Sequence, residues 1–105
     1  MIDAVIEAVE GAQVPLMHLM RETQIASKQE AGCLAYRFTR DLDDARLFYI
    51  LETWENEAAL LAHLAAAPFR LFAAALPLYG RLVSSQRRIG AMEPYGIPRL
   101  KGLEA

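Results

Sequence analysis

The chain has 105 residues, 54% of them hydrophobic and 23% charged, with a formal net charge of −2. That length accommodates one domain but not two with separate cores, and the mildly acidic balance excludes the basic footprint of a nucleic-acid binder, since Arg87-Arg88 is too small a cluster to supply one. The single cysteine, Cys33, excludes an internal disulfide and a thiol-paired structural zinc site, and fits a reducing cytoplasm.

From Ile2 to Val9 apolar residues alternate, with Ile2, Ala4, Ile6 and Ala8 on one face, which predicts a strand. Asp3, Glu7 and Glu10 stand where a signal peptide would be basic. Pro15 suits a helix's first turn, and Leu16, Leu19, Met20, Thr23 and Ala26 recur at helical spacing, so an amphipathic helix is expected from Val14 to about Glu30, with Gly32 as its left-handed stop. Two strands rich in aromatic and β-branched residues follow, Cys33 to Arg40 and Arg46 to Trp54, joined by the turn-forming Asp41-Leu42-Asp43-Asp44. Alternation places Leu34, Tyr36 and Phe38 on one face of the first, and Leu47, Tyr49 and Leu51 on one face of the second.

Past Trp54 the period changes to about 3.6. Glu55-Asn56-Glu57 offers an N-cap and an acidic first turn, and Ala58, Leu61 and Ala65 fall on one side of the helix that follows. Its apolar run, Ala58 to Ala67, is interrupted by His63 and is well short of the roughly 20 residues a membrane span needs. Pro68 restarts a second helical piece lined by Phe69, Phe72 and Leu76 and closed by Pro77, and a half-polar last strand is expected from Leu78 through Ile89, around Leu82, Val83 and Ile89, at a sheet edge. Residues 1–90 are thus expected to form the domain and residues 91–105 an arm or tail.

The order β-α-β-β-α-β predicts an α+β, ferredoxin-like fold, helices on one face of an antiparallel sheet. Both faces of the central strands carry apolar residues while helices cover only one, so the other is expected to pack on a second copy, giving a homodimer.

Gly32-Cys33-Leu34, Tyr36, the acidic turn, Glu52-Thr53-Trp54-Glu55, Ala58, His63-Leu64 and Pro68-Phe69 together resemble the antibiotic biosynthesis monooxygenase (ABM) family of the dimeric α+β barrel superfamily. The resemblance implies facing sheets in a dimer and, in each protomer, a pocket between sheet and helices. It also implies activities that include cofactor-free oxygenation of quinol-like or polyketide aromatics and haem degradation. Trp54 matches an active-site Trp of the polyketide-oxidising branch, but that branch's Asn and Tyr partners are replaced by Ile50 and Leu60. The haem-degrading branch has a Trp where His63 stands and its haem-ligating His where Ala73 stands, so haem is not expected.

His63, in an apolar helix, is the first candidate base, and His18, on the first helix, the second, if it turns inward. A buried, hydrogen-bonded structural His63 is the competing role. Trp54, Tyr36, Phe69 and Phe72 are candidate substrate contacts, against the alternative that they fill core. Arg37 is expected to pair with Glu52 across the sheet or to hold an anionic substrate. With two histidines on different helices and no glycine-rich phosphate loop, no metal and no nucleotide cofactor are expected. The leading expectation is a cofactor-independent monooxygenase acting on a small electron-rich aromatic. The alternative is a non-catalytic dimer that binds or senses a small ligand in the same pocket.

Overall fold

The computed structural model describes residues 1–87. The elements are β1 (Ile2–Ala8), α1 (Gln13–Lys28), β2 (Cys33–Arg40), β3 (Leu47–Trp54), α2 (Glu57–Ala65), α3 (Ala67–Tyr79) and β4 (Gly80–Arg87). All strand pairs are antiparallel and the sheet order is β2-β3-β1-β4. The expected continuation of β4 to Ile89 and the expected tail lie outside the described residues.

Alternation in β1 sets the inner layer. Ala4 pairs with Ile50 and Ile6 with Phe48, and these four residues form the core with Leu16 and Met20 of α1, Tyr36 of β2 and Phe72 of α3. The β2–β3 turn is held as its sequence suggests: Asp41 Oδ1 accepts from the backbone N–H groups of Asp43 and Asp44, and Asp44 Oδ1 accepts from that of Arg46. Asn56 caps α2, its Oδ1 accepting from the Ala59 N–H at 2.8 Å. Asn56→Ala is expected to cost about 1 kcal/mol in urea unfolding, the usual worth of such a cap.

Five local expectations are corrected. A bulge between Cys33 and Ala35 shifts the β2–β3 register, so Cys33 shares the helix-covered side with Tyr36, while Leu34 is 65% exposed. In α2 the buried residues are Leu60 and His63, not Ala58, Leu61 and Ala65. That segment is apolar on every side, so periodicity alone picks no face, and the phase is set by the Asn56 cap and by the Glu55 N–H donating to Gly32 O at 2.7 Å. Gly32 does adopt φ +80°, but α1 has ended at Lys28 and the glycine instead turns the chain into β2. Pro77 lies inside α3, whose final turn is held by Gly80 N–H to Leu76 O and runs on to Tyr79, so the last strand starts at Gly80 and not at Leu78. Arg37 pairs with Leu51, on the opposite face from Glu52, which is opposite Tyr36, so the expected Arg37–Glu52 pair does not form.

The helix-free face carries Val5, Tyr49, Leu47 and Leu51, the last 37% exposed, flanked by Asp3, Glu7 and Arg37. It is an apolar stripe with ionic margins rather than a continuous apolar sheet. Among the described residues no single helix is long and apolar enough to cross a membrane; α2 and α3 reach the length only together and are bent by 58°.

Candidate active site

His63 is 1% exposed and sits where α2, the end of β3 and the α1–β2 turn meet. Its Nδ1 lies 2.5 Å from Glu30 Oε1, and its Nε2 lies 3.7 Å from Glu52 Oε1 without a hydrogen-bond partner. Glu30 belongs to a turn fixed by its own backbone, its N–H donating to Ser27 O and its carbonyl accepting from the Cys33 N–H. Glu52 is placed by alternation, on the same side of β3 as Phe48, Ile50 and Trp54 and opposite Tyr36. The Trp54 Nε1–H donates to Glu52 Oε1 at 2.9 Å.

Rings close the rest of the box. Trp54 stacks on the imidazole at 4.6 Å with 30° between planes, and Tyr36 and Phe69 meet it edge-on, each at 5.4 Å. Phe72 stands one shell further out, 5.6 Å from Phe38, which in turn packs against Tyr36. With the Glu30 carboxyl group on Nδ1, Nε2 is the ring nitrogen left without a partner, the arrangement of an imidazole oriented by a carboxylate.

Burial dominates the electrostatics. It pushes the Glu52 carboxyl above its ordinary value, against the Trp54 hydrogen bond and the neighbouring His63 ring, while Glu30 adds to the rise. Burial also raises the Tyr36 phenol, helped by Glu52 and opposed by the adjacent Ser27 hydroxyl. Cys33 is raised by burial, then by Glu30 and Glu52, which keeps it a thiol rather than a nucleophilic thiolate. Displaced titratable groups gathered in one place are an arrangement that functional sites use, and structural networks of buried charge share it.

The Glu52 shift has a sign. The folded protein holds this proton more tightly than the unfolded chain, so the stabilisation is complete below the ordinary value of 4.5 and is lost as pH rises through the raised one. The stability of the wild type relative to Glu52→Gln should therefore fall across that interval and level off above it. Urea midpoints of both proteins across the acidic-to-neutral range check this, and a constant difference would contradict it.

The fold thus brings His63, Trp54, Tyr36 and Phe69 together, with Phe72 behind them. It does not bring His18 to them. His18 is exposed on α1 and lines a different pocket of about 350 Å³, with Met17, Met20, Arg21 and Gln24 of α1 and Phe38, Thr39, Arg40 and Phe48 of the hairpin. The expected single cavity bordered by both histidines is therefore not formed by that pocket, because the two lie on different parts of the helical layer. Sequence reasoning missed the two carboxyl groups that flank His63, Glu30 on Nδ1 and Glu52 near Nε2. Glu52 had a legible signal, an acid in the inward register of an otherwise apolar strand, whereas Glu30 sits in a turn with no pattern to mark it. Among the described residues no group of three or more His, Cys, Asp or Glu side chains is placed to hold a metal ion.

A four-stranded antiparallel sheet in the order β2-β3-β1-β4 with all helices on one side defines a ferredoxin-like α+β protein. The antibiotic biosynthesis monooxygenase family model matches residues 1–75, and the chain belongs to that family. Among solved structures it is similar to PA3566 from Pseudomonas aeruginosa, at 29% identity and a TM-score of 0.72, over 85% of this chain and 92% of that one. A Deinococcus radiodurans protein provisionally described as an antibiotic biosynthesis monooxygenase is 25% identical, with a TM-score of 0.74 over 88% and 94% of the two chains. A conserved Bacteroides thetaiotaomicron protein of unknown function shares the fold at 22% identity and a TM-score of 0.76, over 81% and 89%. No curated protein sequence matches the chain.

Proposed function

We propose that this protein is a cofactor-independent monooxygenase acting on a small electron-rich aromatic of the hydroquinone type. The observation that carries the proposal is His63, buried, oriented through Nδ1 by Glu30 and with Nε2 unbonded. Family membership supports the reaction class. Trp54 and Phe69, the two partly exposed rings that cover the imidazole, move aside for the substrate ring, which then reaches the otherwise buried Nε2 and gives it a phenolic proton. The phenolate so formed is electron-rich enough to reduce oxygen. One oxygen atom enters the ring and the other leaves as water, so hydroquinone and O2 give hydroxyquinone and water with every electron supplied by the substrate. Surrounding rings keep the site dry, and Glu52, 3.7 Å from Nε2, is the next station for the proton.

The working unit in this proposal is a homodimer joined through the helix-free face of the sheet, where Leu51, Tyr49 and Val5 present the apolar stripe. Sedimentation at micromolar protein should give twice the chain mass; a monomer mass counts against the assembly.

A second function is favoured by one feature, the near-complete burial of His63, which suits a structural imidazole in a dimer that binds a small ligand without chemistry. Oxygen uptake with a panel of hydroquinones separates the two. An oxygenase consumes oxygen in proportion to substrate and loses roughly 10²–10⁴-fold in rate on His63→Gln, the usual worth of a general base. Uptake unchanged in that variant removes His63 as the base, and no uptake with any substrate favours the binding dimer.

A further inference from the structure

The pocket between α1 and the β2–β3 hairpin shares no side chain with the box around His63. We infer that it is a second binding site, and that its ligand is a small planar aromatic carboxylate. Its apolar surface is made by Met17, Met20, Phe38 and Phe48, two thioethers and two aromatic rings. Its polar surface is made of donors and cations. Arg21 and Arg40 line it, and neither forms an ion pair among the described residues, whereas Arg46, Arg81 and Arg87 are each paired with a glutamate elsewhere. The Arg40 guanidinium is held 5.9 Å from the centroid of the Phe48 ring, beside the apolar floor. Gln24 spends its carbonyl oxygen on the Phe38 backbone N–H at 2.7 Å, so the group it has left to offer is its NH2 donor.

Acidic residues are missing from the lining, in a chain with 13 Asp and Glu against 11 Lys and Arg. A cationic ligand would meet only like charge there, and a neutral apolar one would cover two guanidinium groups without pairing them. A carboxylate satisfies the forked geometry of arginine with two parallel hydrogen bonds, and an attached ring lies on Phe38 and Phe48. The volume, about 350 Å³, falls among small-ligand sites, which span roughly 300–1,000 Å³. This site is independent of the oxygenase proposal, because none of its residues touches His63.

Calorimetric titration of the full-length protein with 2-naphthoate, and with 2-naphthamide as its neutral counterpart, tests the assignment. Charge-assisted hydrogen bonds of about 1.5–3 kcal/mol correspond to roughly 10–150-fold in affinity. Naphthoate should therefore bind at least about tenfold more tightly than naphthamide, and Arg40→Gln and Arg21→Gln should each weaken naphthoate by a similar factor while leaving naphthamide unchanged. Both arginines are exposed, so neither substitution threatens folding. His63→Gln should leave naphthoate binding intact, whatever becomes of oxygen uptake. Equal affinity for the two ligands, no naphthoate binding, or binding lost in His63→Gln but retained in both arginine variants would overturn the inference.

Discussion

Gly32→Ala should lower the unfolding free energy by roughly 2–5 kcal/mol, which at this chain length is a fall of roughly 10–20 °C in Tm. Two costs add. At φ +80° a residue with a Cβ pays roughly 1–2 kcal/mol in backbone strain. The new Cβ would also stand 2.5 Å from that of Ala59, so the first turn of α2 must move away at a cost of roughly 1–3 kcal/mol. That turn is tied to Gly32 through the Glu55 N–H, and one turn further along the same helix is the His63 imidazole. Gly11→Ala is the control, because Gly11 has φ +82° and nothing within 4 Å of its Cβ position, leaving the backbone cost alone. Thermal unfolding of both variants isolates the packing cost as the difference between them. Equal losses would mean that α2 backs away freely.

His63→Ala should cost roughly 3–5 kcal/mol, more than an ordinary large-to-small change on a short helix. It empties the space under Trp54 and removes the group between two carboxylates, leaving Glu52 buried with the Trp54 indole N–H as its donor. The diagnostic is the double variant. With Glu52→Gln in the same chain, roughly 1–3 kcal/mol of the loss should return, because the stranded carboxylate is now a neutral amide. Urea unfolding of the wild type, both single variants and the double closes the cycle. Effects that add to within about 0.5 kcal/mol would show that Glu52 and His63 do not interact, and the pathway for the proton would lose its second station.

Most of the fold was legible because its strands and first helix are amphipathic, and amphipathic periodicity reports which side is buried. β1 illustrates this: of the four residues in its inward register, Ala4, Ile6 and Ala8 are buried and Ile2, at the strand's start, is half-buried. The Asp41–Asp44 turn and the Asn56 cap were equally legible, since short polar side chains that bond nearby backbone act within a few residues of themselves. Periodicity failed in two places for two reasons. In α2 every side is apolar, so the inward choice of Leu60 and His63 over Leu61 was set by contacts with other elements. At the start of β2 a bulge exchanged the faces of Cys33 and Leu34, and one extra residue in a ladder leaves no mark in an alternating pattern.

By itself, the sequence determined the strand and helix order, the one-sided helical layer, and His63 and Trp54 as residues of interest, because each is encoded within a few positions of chain. Tertiary structure alone decided that Glu30, far from His63 in the chain, would orient its ring, that Glu52 would face the imidazole rather than Arg37, and that His18 would border a cationic pocket of its own. Side chains meet across a fold according to how whole elements dock, and docking is fixed by the packing of the entire inner layer, which no local stretch of residues records.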